Sequence, residues 1–237
     1  MSSVTSQAPE GLTVESTIVT AADPQELSPL EAVIMDLCNA LIEARTESSD
    51  SVEAIQHDLF DAIRRYDETG AERHPNADWA IPNQRALALS AAGLYDDAIG
   101  TELLALDYAD SPRRLEISLG NLAERCIKVH RFEEAVAWFL RAEQVAPGRT
   151  PILVTGAQAL FLAGYEEEAD AIFATLLASP GLLSPGTELD AYLRYESRLL
   201  GMADRLPSLG KLLDAWRSGS VSGPTCAFDP ADEEDSR

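Results

Sequence analysis

The residues able to do acid–base, nucleophilic or metal chemistry are few and scattered along the chain. Its three histidines are His57, His74 and His130, and none stands four residues from another. That spacing is what would put two imidazoles on one face of a helix for a metal ion. Cys38, Cys126 and Cys226 are odd in number, far apart and form no C-x-x-C. They therefore point to a reducing cytoplasm rather than to zinc or a disulfide framework. The pentapeptide GSVSG at 219–223 has the outline of a nucleophile elbow, but its centre is Val221 and no strand pattern precedes it. The acidic runs Glu166–Glu168 and Asp232–Asp235 lack the alternation of a calcium loop, and the first has the composition of a helix N-terminus. The expectation is a protein with no catalytic residues, no metal and no cofactor, whose functional side chains are binding side chains.

Charge narrows the class of partner. The formal net charge is −22 over 237 residues. Nucleic acid and anionic membrane surfaces are polyanions, so neither is expected as a partner, and a protein or peptide is. Acid is densest near the start, where residues 1–50 carry nine carboxylates against Arg45 alone. Lys128 and Lys211 are the only lysines, an arginine-rich usage that suits a GC-rich bacterial genome. The first twenty residues have no basic start and no continuous apolar run, so no secretory leader is expected there. No stretch approaches the roughly 20 apolar residues of a membrane-spanning helix.

The elements that must position any binding residues are helices. Residues 1–27 are rich in Ser, Thr, Ala and Pro without periodicity and read as a disordered tail. Leu30, Val33, Ile34, Leu37 and Leu41 then form an amphipathic stripe that begins at Ser28-Pro29. After the break TESSDS, Val52, Ile55, Leu59 and Ile63 mark a second helix, so 28–70 reads as an N-terminal hairpin. The polar AERHPNAD is a loop. A degenerate pair of helices, TELDAYLRYESRLLG and LPSLGKLLDAW, reads as a capping hairpin over 184–217, and 218–237 as an acidic disordered tail.

Between these flanks the sequence repeats. In RFEEAVAWFLRAEQVAP, Ala135 and Ala142 place small side chains two turns apart on one helix face, with Phe139 between them and Pro147 as the stop. Ala169 and Phe173 recur 34 residues after Ala135 and Phe139, and Ala98 stands 37 residues before Ala135. Small residues are needed where the backbones of two antiparallel helices approach, and Phe139 fills the gap toward the next hairpin. The best copy, 116–149, adds Leu119, Leu122, Ala123 and Cys126 on its first helix. The copy at 150–183 keeps Leu153, Ala157, Leu160 and Gly164, with Tyr165 one place early. The copy at 79–112 keeps Gly93, Tyr95, Ala98 and Ala105, has Glu102 where an aromatic is usual, and is followed by three extra residues.

This pattern resembles the tetratricopeptide repeat, a helix–turn–helix unit of 34 residues. The resemblance implies an all-α fold of stacked hairpins in a right-handed superhelix, with three copies over 79–183 and a good match over about 79–180. It departs at His130, which stands where the turn glycine is expected. Members of that family line a concave groove with first-helix side chains. Carried over, the groove would be lined by Asn83, Leu87 and Ser90, then Asn121, Glu124 and Ile127, then Val154, Gln158 and Phe161. Ile127 and Phe161 fit equally well as core between hairpins. Some members clamp a free C-terminal carboxylate with basic and amide residues. Asn121 matches one such position, but Asn83, Leu87, Pro151 and Thr155 supply no cation at the others. The resemblance thus implies a non-catalytic adaptor or scaffold that holds an internal peptide segment. The alternative is a secretion chaperone, since the stretch from Trp79 to Ala178 is also similar to the type III translocator-chaperone class.

Overall fold

The computed structural model describes residues 28–70 and 74–220, and among these it is helical with no strand. The chain divides into two compact units between Ile172 and Phe173. The first contains α1 (Pro29–Thr46), α2 (Val52–Arg65), a π-turn (Tyr66–Gly70), α3 (Ala77–Ala91), α4 (Tyr95–Asp107), α5 (Pro112–Lys128), α6 (Phe132–Val145), α7 (Thr150–Ala163) and the start of α8 (Glu166–Leu177). Sequential helices pack as neighbours, α1 on α2, α3 on α4 and α5 on α6, and α5 also touches α7.

The N-terminal hairpin is fixed by one carboxylate. Ser28 opens α1 with a reciprocal cap: the Glu31 amide donates to Ser28 Oγ at 3.3 Å and the Ser28 amide to Glu31 Oε2 at 2.8 Å. The other oxygen, Oε1, accepts the buried Tyr66 hydroxyl at 2.8 Å, which ties α1 to the π-turn. Ile34, Cys38 and Leu41 then pack with Leu59, Ile63, Tyr66 and the α3 residues Trp79, Ala80 and Ala88 in one core. Val33, expected in the same stripe, is instead 45% exposed. Arg45 reaches from the end of α1 to donate to the Ala92 carbonyl. It crosses Gly93, where an added Cβ would lie 2.3 Å from the guanidinium and where φ is +78°.

Three helix–helix turns share one geometry. Gly93, His130 and Gly164 all have positive φ, at 78°, 61° and 94°. In each, the amide of that residue bonds three residues back and the next amide five back: Leu94 to Leu89 at 2.9 Å, Arg131 to Cys126 at 2.9 Å, Tyr165 to Leu160 at 2.8 Å. This pair of bonds closes the helix end, and it is why glycine is favoured there. His130 keeps the same turn despite its Cβ, with its ring edge-on to Phe132 at 5.5 Å.

Ala135, Ala142 and Phe139 are buried, and Phe139 lies across α7 at Gly156, where a Cβ would fall 2.2 Å from Cδ2. The gap that Phe139 fills is therefore the backbone of the next helix. The three extra residues before the second copy do not form a loop: Ser111 caps α5 and Pro112 takes its first turn, so the helix starts four residues before the expected 116. Similarly α3 starts at Ala77, capped by Asn76.

The second unit contains α9 (Glu188–Tyr195), α10 (Ser197–Met202) and α11 (Pro207–Ser220). The expected two-helix cap is broken at Glu196, whose non-helical backbone (φ −91°, ψ 89°) ends α9 and whose side chain caps α10. The helix α11 runs to Ser220, three residues beyond the expected boundary. The tails expected at 1–27 and over most of 218–237 lie outside the described residues.

Candidate functional site

The most heavily furnished polar site in the first unit is built around Glu102. This α4 side chain is fully buried, at the place where the repeat pattern expects an aromatic. Arg125 Nη1 of α5 donates to its Oε2 at 2.6 Å, and the two side chains are 4% and 0% exposed. Asn121 Nδ2, one turn earlier on α5, donates to the same oxygen at 3.3 Å, while Asn83 Nδ2 of α3 donates to Oε1 at 3.0 Å. Three consecutive helices therefore converge on one carboxylate. Burying a charge is tolerated only when it is paired and hydrogen-bonded, as here. The grip is imperfect, because Arg125 Nε is buried with no acceptor.

A second junction joins α5 to the start of α7. Buried Glu116 Oε1 accepts from Arg113 Nη1 at 2.7 Å and from Arg149 Nε at 3.0 Å. Trp79 Nε1 donates to Ser118 Oγ at 3.1 Å and ties α3 to α5. Both junctions use the polar groups of α5 to hold its neighbours.

The nine expected groove residues separate into two sets. Leu87, Ser90, Asn121 and Phe161 are half-buried and Glu124 is exposed, so these five retain accessible surface on α3, α5 and α7. Asn83, Ile127, Val154 and Gln158 are buried, at 6%, 4%, 0% and 2% exposure. Side chains so enclosed present little surface to a partner. For Ile127, one of the two residues left open between groove and core, the answer is core. Asn83 is enclosed because its amide is spent on Glu102. Asn121 is likewise a donor to Glu102 before it is a donor to anything outside.

Arg125 is not among the residues expected at the groove. A signal was present: Arg125 follows Asn121 by four residues, on the same helical face, and Glu102 replaces an aromatic one helix earlier. Together they spell a buried ion pair.

Several other titratable groups are engaged or enclosed. Burial pushes the Cys38 thiol up to about 11 and also raises Cys126, so neither is a thiolate at neutral pH. Burial, aided by Glu31, raises the Tyr66 hydroxyl far above its usual range. In the second unit, Asp190 accepts from Trp216 Nε1 at 2.7 Å, from the Gly186 amide at 3.0 Å and from Arg194 at 3.1 Å. Those bonds, the indole first, hold its carboxyl below the ordinary range. Among the described residues no group of three or more His, Cys, Asp or Glu side chains is arranged to hold a metal ion. None of the described helices is long and apolar enough to cross a membrane.

Neither a scan of protein-family models nor a search of curated proteins returns a match to this chain.

Proposed function

We propose that the chain is a non-catalytic helical-repeat protein of the tetratricopeptide type, acting in the cytoplasm as an adaptor or scaffold that holds an internal segment of a partner protein. The repeat assignment is supported by the shared turn at Gly93, His130 and Gly164, at offsets of 37 and 34 residues, together with the packing of each helix from α3 to α7 on the next. The cytoplasmic assignment is supported by the two free, buried thiols at Cys38 and Cys126.

The observation that carries the binding mode is the occupancy of Arg125. Asn83, Asn121 and Arg125 already grip a carboxylate, and it is the chain's own Glu102. The cation that a free C-terminus would require is thereby neutralised, so the partner is held by side-chain anchors. Leu87 and Phe161 offer apolar contact, while exposed Glu124 favours a basic residue in the bound segment.

The test is site-specific photo-crosslinking in cells that express the full chain. A crosslinker replacing Glu124 should capture a protein, and Phe161→Ala should diminish that capture without altering the melting temperature. Capture from exposed α11 positions but not from position 124, or turnover of a small molecule by the purified chain, would refute the proposal.

A further inference from the structure

The outward face of α4 carries side chains that an ordinary solvated helix does not. Leu103 and Leu104, with Tyr108 as the residue that ends the helix four places after Leu104, are 38%, 57% and 54% exposed. Gly100, one turn before Leu104, is also exposed, and nothing lies within 4 Å of the Cβ it lacks. A glycine inside a helix weakens it relative to alanine, and it is usually retained where another backbone approaches closely. Among the described residues nothing approaches. The apolar trio and the empty dent beside it thus form a ridge and a hole, the relief by which one helix seats another.

Charge identifies what seats there. The same face is bounded by Asp96 and Asp97 at one end and Asp107 at the other, and α4 contains no basic residue. The nearest cation in an ion pair is Arg131, 3.9 Å from Asp96 and already bound bidentately to Glu134. A second copy of the chain would bring aspartates against aspartates in either helix orientation, so self-association is disfavoured. The chain's terminal segments outside the described residues have the wrong sign: 1–27 holds four acids and no base, and 221–237 holds five acids against Arg237.

We infer that the α4 face docks a basic amphipathic helix of another protein, with a bulky apolar residue seated over Gly100 between Leu104 and Asp97 and with Lys or Arg flanking it. This surface is separate from the α3–α5–α7 face, and the inference does not depend on that binding mode.

The probe is a stapled helical peptide of leucine and lysine, fluorescently labelled and titrated into the full chain at physiological salt. Its control is the same peptide with glutamate for lysine. Expected is saturable binding of the lysine peptide alone, weakened at least tenfold by Gly100→Arg and by Leu104→Ser combined with Tyr108→Ser, and unchanged by Leu200→Ser, an exposed position of the second unit. Circular dichroism confirms that each variant keeps its helix content. Equal binding to wild type and both variants would mean diffuse attraction to an acidic surface and would overturn the inference. So would binding of the glutamate peptide, or a wild-type dimer that Leu104→Ser dissociates.

Discussion

Replacing either half of the Glu102–Arg125 pair should destabilise the protein more than replacing both. The charges are within direct hydrogen-bond distance, at 2.6 Å between Nη1 and Oε2, and both side chains are almost wholly enclosed. At an effective dielectric of about 20, unit charges about 4 Å apart attract by about 4 kcal/mol. Desolvation costs several kcal/mol per ion, so the intact pair contributes little net stability. Glu102→Leu alone would strand the guanidinium, whose Nε already lacks an acceptor, and would leave Asn83 without its partner. Arg125→Leu alone would leave a buried carboxylate held only by two amides. Each single variant should lose about 3–5 kcal/mol. The double variant removes both charges and should lose less than either, with the remaining cost falling on the Asn83 amide, since half-buried Asn121 can reach water. Urea unfolding followed by far-ultraviolet ellipticity gives the four free energies of the cycle. Single losses below about 1 kcal/mol, or a double variant as unstable as the sum of the singles, would show that the pair is not a coupled buried charge.

Three further perturbations test separate features. Gly100→Ala should stabilise the protein by about 0.5–1 kcal/mol in thermal or urea unfolding, because the site is open and only helix propensity changes; a destabilised variant would mean that Gly100 has a contact within the chain. Gly156→Ala should cost at least about 1–3 kcal/mol from overpacking against Phe139 and should be partly rescued by Phe139→Leu; a variant melting like wild type would disprove the close approach. Asp190 has a folded pKa below its unfolded value near 3.8, so its contribution is full above that value and is lost as pH falls through the lower folded one. Asp190→Asn should therefore flatten the acid-side loss of stability below about pH 4, and an unchanged profile in urea titrations would remove Asp190 from the account.

The helices were legible because their signals are local. Ser28-Pro29 marks the start of α1 within two residues, and the stripe through Ile34 and Leu41 has one period. Ala135, Phe139 and Ala142 disclosed a helix contact because small and large residues alternate only where backbones come close. The polar site was illegible for the opposite reason. Glu102, Asn83 and Arg125 lie on three helices, and which of their faces meet depends on packing that no short window contains. The repeat pattern marked Glu102 as anomalous but did not say what neutralised it. The same limit explains the groove: first-helix positions were carried over by register, whereas Val154 and Gln158 are enclosed in the folded chain. The break at Glu196 was hidden because YLRYESRLLG retains helical composition on both sides.

The central claim is that the α3–α5–α7 face holds an internal segment of a partner by side-chain anchors. Its most direct measurement is calorimetric titration of the segment crosslinked at position 124, prepared with a free carboxylate and with a carboxamide end, against wild type and Glu124→Lys. The account predicts equal affinity for the two ends and a loss of at least about tenfold, or about 1.4 kcal/mol, in Glu124→Lys at unchanged melting temperature. Strict dependence on the free carboxylate, or full affinity in Glu124→Lys, would contradict it.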